Sequence, residues 1–363
     1  MEQSWKAYLS KNDVTDYQRK EVEKALQCYG SDNGCFVYYC STCNEHVFQS
    51  KGCNSRLCSH CGKRYTDQWS ESLSKSMFKV PHRHFVMSVS NVLWPYLRDW
   101  NRMKVYMDSA ILAFNEFFSL IVHQDISVGV IVILHPFGKE LGFRPHLHLL
   151  ITEGGFTKNG TFKKCSFIPA NGFRKKWQYE VLKNLQKCGL PNTVANYLYK
   201  KFPNGFYVWL HSRGRISHPK AIGNYVGRYV RHPAIADSRI YYFDGKIVKF
   251  YYINGDEQRK EVTMSVDDFI SALIQHIPPP QFKMIRHYGA YARRAKRKFG
   301  LLPLSSIKQL NLSSFGFEKL KYCPKCHTLL QYVAYCPKPP PKGLKLKSGL
   351  IEWISENFTK LLP

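Results

Sequence analysis

Cysteine spacing constrains this chain more than any other feature. The pattern Cys35-x4-Cys40-x2-Cys43 recurs, spacing for spacing, as Cys53-x4-Cys58-x2-Cys61. Each CxxC makes a tight turn that presents two thiolates to one metal at about 2.3 Å, so Cys40, Cys43, Cys58 and Cys61 are the predicted ligands of a tetrahedral zinc. Cys28, Cys35 and Cys53, with His46 or His60, supply enough donors for a second ion. A segment this short has too little core to fold unaided, which makes the Zn2+ structural. Cys165 and Cys188 lie apart from these clusters and read as buried thiols.

The N-terminus carries no signal-peptide core, and the longest apolar run, Val128 to Leu134, is too short to cross a bilayer. A cytoplasmic, nucleoid-associated protein with no membrane partner is therefore expected, in which twelve cysteines are better used for metal than for disulfides. Lys+Arg 53 against Asp+Glu 26 leaves a net charge of +27, and 15% of the residues are aromatic. Such a chain suits a polyanion whose bases can stack, so nucleic acid leads a membrane surface as the expected partner.

The second informative stretch is Phe143-Arg144-Pro145-His146-Leu147-His148-Leu149-Leu150-Ile151-Thr152. On a strand, alternate residues share a face, so His146 and His148 point one way and Leu147 and Leu149 the other. Two imidazoles roughly 6 to 7 Å apart along a strand can reach one ion. The apolar run Gly129–Leu134 predicts a neighbouring strand, His84–Val89 another, and 96–122 a helix rich in Tyr, Phe and Leu. Together these predict an α+β fold whose central antiparallel sheet is flanked by helices, with the histidines on a central strand.

The remaining periodicities predict helices at 11–28 and 173–187, a turn at Gly154-Gly155, a strand over 205–210 and hairpins over 239–264 turning at Asp244-Gly245 and Asn254-Gly255. Ser265 is placed to cap a helix that ends before Pro278. The segment 219–231 reads as a helix stopped at Pro233, with Tyr225 and Tyr229 four apart on one face beside Arg228 and Arg231. A tyrosine pair at that spacing also serves simple packing. The basic run Arg293, Arg294, Lys296, Arg297 and Lys298 suits a DNA-contacting or solvated helix face. Cys323, Cys326 and Cys336 form a minor knuckle for which His327 is the nearest fourth donor. Three regions result: an N-terminal zinc module (1–75), a core (80–290) and a basic C-terminal extension (291–363).

Taken in order, Ser55-Arg56-Leu57-Cys58-Ser59-His60-Cys61, then Pro145-His146-Leu147-His148, then Tyr225-Val226-Gly227-Arg228-Tyr229-Val230 resembles the two-tyrosine HUH transposases of the insertion sequence 91 family. These are relatives of rolling-circle replication initiators and helitron transposases. The stretches 232–240, 275–279 and 285–289 extend the resemblance, which covers about residues 28–290. The chain departs from the family pattern where Phe36 stands in place of a histidine, and where Ser59 follows Cys58 in place of a proline.

The resemblance implies an HUH endonuclease domain that nicks and rejoins single-stranded DNA at element ends and target. His146 and His148, with a third ligand among His84, Asn224 and His232, would hold Mg2+ or Mn2+. Tyr225 or Tyr229 would attack the phosphodiester, leaving a 5′-phosphotyrosine and a free 3′-OH. Two rivals fit the composition: a zinc-dependent nucleic-acid-binding protein without catalysis, and a metal-dependent nuclease that uses water.

Overall fold

The computed structural model describes residues 1–28, 34–50, 77–165, 168–210, 234–298 and 322–336, together with scattered residues between 52 and 76. The chain divides into two compact units, Thr66–Ser306 and Glu2–Tyr65 with Ile307–Pro363. The described part of the C-terminal extension that belongs to the second unit therefore shares it with the N-terminal residues.

In that second unit, α2 (Asp16–Leu26) is the helix expected over 11–28, and a further helix, α1 (Glu2–Lys11), precedes it. The break between the two has a local cause. Thr15 accepts from the Gln18 backbone N–H while the Gln18 side chain accepts from the Thr15 backbone N–H, a reciprocal capping box that starts a new helix. Strands β1 (Cys35–Cys40) and β2 (Glu45–Ser50) form an antiparallel hairpin.

The first unit is built on an antiparallel sheet. Its strands are β3 (His82–Ser88), β4 (Ser127–Phe137), β5 (Phe143–Phe156), β6 (Phe162–Lys164), β7 (Val208–Leu210) and β11 (Ile285–Gly289). Their spatial order is β11-β4-β5-β3-β7, with β6 paired to the far end of β5. The histidine strand is thus central, between β4 and β3, and the unit is α+β as expected. Alternation along β5 buries Leu147, Leu149 and Ile151 completely in the main core.

That core is closed by helices. A short helix α3 (Trp94–Leu97) and the long α4 (Trp100–Val122) stand where one helix was expected, because Asp99 accepts from the Asn101 and Arg102 N–H groups and restarts the chain. Helix α4 is long and apolar enough to span a bilayer by composition alone. Its stripe of Met103, Tyr106, Met107, Ala110, Phe114 and Phe118 is buried in the main core. Helices α5 (Ala170–Gln186) and α6 (Asn192–Lys201) complete the layer with Phe173, Trp177, Val181 and Leu198.

At Gly154-Gly155 the expected turn is not formed and β5 runs on. Gly154 adopts φ +139°, and a Cβ there would lie 2.0 Å from the Lys163 carbonyl oxygen on β6, so only glycine lets the strand continue at that point. A separate three-stranded sheet, β8 (Ile240–Phe243), β9 (Ile247–Ile253) and β10 (Arg259–Ser265), turns at both expected positions. Ser265 caps α7 (Val266–Gln275) by accepting from the Asp268 N–H. The basic run forms α8 (Arg293–Lys298). In the second unit, β12 (Gln331–Cys336) adds to β1 to give the order β12-β1-β2.

Candidate metal centres

The pairing of β4 with β5 sets His135 opposite His146, while Ile133 pairs with His148. His135, His146 and His148 each offer a ring nitrogen, and these atoms lie within 4.8 Å of one another. Ring centroids are 4.6 Å apart for His135 and His148, 5.3 Å for His135 and His146, and 5.2 Å for His146 and His148. The third imidazole therefore comes from His135 on the adjacent strand, a residue the sequence reading passed over. Its signal was available: an apolar strand ending in histidine, joined by a short loop to the histidine strand.

The ring orientations suit ligation. His146 Nδ1–H donates to the Arg144 carbonyl at 2.8 Å, which leaves the Nε2 lone pair free. His84, one of the three expected third ligands, lies on β3 with Nε2 3.1 Å from His148 Nδ1, the two rings stacked within 6°. When His148 Nδ1 donates across that contact, His84 fixes the orientation of the His148 ring. His84 is thus a neighbour of His148 and not a member of the trio. Trp209 on β7 meets the His84 ring edge-on at 6.0 Å and is 40% exposed.

Electrostatics favours the neutral form of His146 and His148. Burial pushes His148 well below its ordinary range, and the neighbouring His135, His146 and His84 rings push the same way. Burial likewise lowers His146. Neutral imidazole is the ligating form, so burial holds His146 and His148 in the state that binds a cation. Asn224, His232, Tyr225, Tyr229, Arg228 and Arg231 lie outside the described residues. Arg293 and Arg294 are exposed on α8, which also carries Lys296, Arg297 and Lys298.

The cysteines form two four-sulfur groups that partition differently from the expectation. Cys58 and Cys61 join Cys28 and Cys53, whereas Cys40 and Cys43 join Cys323 and Cys326. The expected single site of Cys40, Cys43, Cys58 and Cys61 is corrected accordingly. Cys35, expected beside Cys28 and Cys53, pairs with Cys336 across β1 and β12. In the first group the sulfurs of Cys28 and Cys61 are 3.7 Å apart, those of Cys53 and Cys61 3.7 Å, and those of Cys58 and Cys28 3.4 Å.

That first group is positioned locally. Cys28 follows the end of α2, and the buried Ser55 hydroxyl donates to the Glu21 carbonyl of the same helix at 2.8 Å. Four sulfurs about one tetrahedral Zn2+ sit about 3.8 Å apart for bonds of about 2.3 Å, so the group fits the ion.

Two families match separate stretches of the chain. A family described as a putative transposase matches residues 129–298, which hold the histidine trio. A transposase zinc-binding domain matches residues 1–89, which hold the first four-sulfur group. The chain is 29% identical over 308 residues to the transposase for insertion sequence element IS801 of Pseudomonas savastanoi pv. phaseolicola, covering 80% of this chain and 74% of that one. It is 24% identical over 361 residues to the putative transposase y4qJ of Sinorhizobium fredii, covering 88% and 90%. No solved structure matches. A zinc-binding cysteine module followed by a transposase core, in the order read from the sequence, makes this chain a transposase of the insertion sequence 91 family, an enzyme that acts on DNA.

Proposed function

We propose that this transposase cuts and rejoins single-stranded DNA at element ends and target by a rolling-circle route, acting on nucleoid DNA in the cytoplasm, with His135, His146 and His148 holding one divalent ion and Tyr225 and Tyr229 as nucleophiles. The observation that carries the reading is the convergence of three imidazoles from two adjacent central strands. A divalent ion held there supplies Lewis-acid polarisation of the scissile phosphodiester. Three nitrogens suit Mn2+ better than Mg2+, which prefers oxygen ligands and retains water.

The protein's own groups do the rest. One tyrosine hydroxyl loses its proton and its oxygen attacks phosphorus; the P–O bond to the 3′ oxygen breaks, and that oxygen takes up a proton to leave as a free 3′-OH. The 5′-phosphotyrosine keeps the bond energy for rejoining, so neither ATP nor hydrolytic water is consumed. The second tyrosine lets another strand be cut while the first end stays attached. Trp209, partly exposed beside His84, offers a face on which a base can stack.

The test is covalent trapping on end-labelled single-stranded DNA. The full chain with Mn2+ should yield a protein–DNA adduct mapping to Tyr225 or Tyr229. Tyr225→Phe and Tyr229→Phe should each restrict attachment to the remaining tyrosine, and the double variant should bind DNA without any adduct. Cleavage without adduct in the wild type would show water as the nucleophile and sink the proposal.

A further inference from the structure

The second four-sulfur group lies partly outside the matched zinc-binding domain, since Cys323 and Cys326 stand far beyond residue 89. Cys40 and Cys326 sulfurs are 3.4 Å apart and those of Cys43 and Cys323 3.9 Å, although the paired residues are separated by 286 and 280 positions of sequence. These separations bracket the value of about 3.8 Å that a tetrahedral zinc with four thiolates requires.

The two knuckles are built alike, which chance proximity of thiols does not require. Around the first, Cys40 pairs with Glu45 and Tyr39 with His46. Around the second, the Cys323 N–H donates to the Thr328 carbonyl at 2.8 Å and Tyr322 bridges Leu329. The residue after each second cysteine takes a left-handed backbone, Asn44 at φ 52° and His327 at φ 57°. That conformation turns both sulfurs of a knuckle to one side.

The contacts between the knuckles are reciprocal. Thr42, two residues after Cys40, shares a 2.9 Å hydroxyl hydrogen bond with Thr328, five residues after Cys323. Lys325, two residues after Cys323, binds Glu45, five residues after Cys40, at 2.6 Å. Two similar hairpins related by an approximate two-fold, each giving two thiolates, is the arrangement of a closed structural zinc site with no open coordination position. Pairing of β12 with β1 continues the same surface, so β12 extends the N-terminal sheet.

We propose that Cys40, Cys43, Cys323 and Cys326 bind a second structural Zn2+, distinct from the ion of Cys28, Cys53, Cys58 and Cys61, and that this ion fastens the C-terminal segment onto the N-terminal module. The module is then complete only when the last stretch of the chain is present. This proposal is independent of how the DNA is cut.

Zinc content of the purified full chain and cysteine footprinting test it together. The two four-sulfur groups predict two zinc ions per wild-type chain and one in Cys323→Ser/Cys326→Ser. In that variant N-ethylmaleimide should reach Cys40 and Cys43, while Cys28, Cys53, Cys58 and Cys61 stay protected. In the wild type, chelator titration should expose Cys40, Cys43, Cys323 and Cys326 as one block, a readout that does not depend on the variant folding. Unchanged zinc content in the variant, or exposure of Cys323 and Cys326 while Cys40 and Cys43 remain protected, would overturn the proposal.

Discussion

Replacing His82 with Leu should flatten the pH dependence of stability of the Thr66–Ser306 unit. His82 is fully buried at the start of β3, with Nε2 2.5 Å from the Tyr291 hydroxyl, which in turn accepts from the Phe78 N–H at 3.2 Å. Burial pushes its pKa from 6.5 down to about 4. The folded state therefore resists the proton that the unfolded chain accepts, so stability is full above pH 6.5 and falls as pH drops through the window from 6.5 to 4. The limiting loss is about 3 kcal/mol, since each pKa unit corresponds to about 1.4 kcal/mol. Other buried histidines such as His276 add a background common to both proteins.

The assay is urea unfolding at several pH values, read by hydrogen-exchange mass spectrometry on β3 and β5 peptides so that this unit is followed alone. His82→Leu is expected to be less stable at pH 7.5, because the Tyr291 hydroxyl loses its hydrogen bond to His82, yet to lose less of its remaining stability on acidification. The slope between pH 4.5 and 6 should fall by about 1 kcal/mol per pH unit, the contribution of one proton. Equal slopes in the two proteins would refute the assignment of a neutral, buried His82.

Gly154→Ala should destabilise the same unit by about 2 to 4 kcal/mol, because the new methyl meets the Lys163 carbonyl and φ +139° disfavours any side chain; thermal unfolding checks this, and Gly245→Ala, with φ +93° but nothing near its Cβ, should cost less. DNA affinity should fall steeply with salt, by roughly 10³ or more between 50 and 200 mM if six or more phosphates are contacted, given the net charge of +27. A fluorescence-anisotropy titration that stays flat over this range would contradict the electrostatic reading.

Local signals carried most of the fold. The hairpins at Asp244-Gly245 and Asn254-Gly255, the Ser265 cap and the histidine strand depend on neighbours within a few residues, and each is found where the sequence placed it. Long-range pairings were less legible. Cys40 and Cys43 were matched to the nearest second knuckle, whereas their partners lie at Cys323 and Cys326, and nothing in a spacing pattern ranks a distant knuckle above a near one. His135 was missed because its role depends on hairpin register, which the loop at Gly138–Gly142 sets through a Gly138 N–H to Gly142 carbonyl bond of 2.8 Å. Gly154-Gly155 carried a turn signature, but β6 pairs with this stretch and holds it extended.

The central claim is that His135 completes a metal centre with His146 and His148, and the Mn2+ dependence of single-strand cleavage tests it most directly. Rates measured over a range of Mn2+ concentrations should show the half-saturating concentration for His135→Ala raised at least about tenfold over wild type, the least expected for losing a group that holds a metal, with single-stranded DNA binding unchanged. A His135→Ala protein that cleaves at the wild-type rate with the same half-saturating Mn2+ would contradict the account.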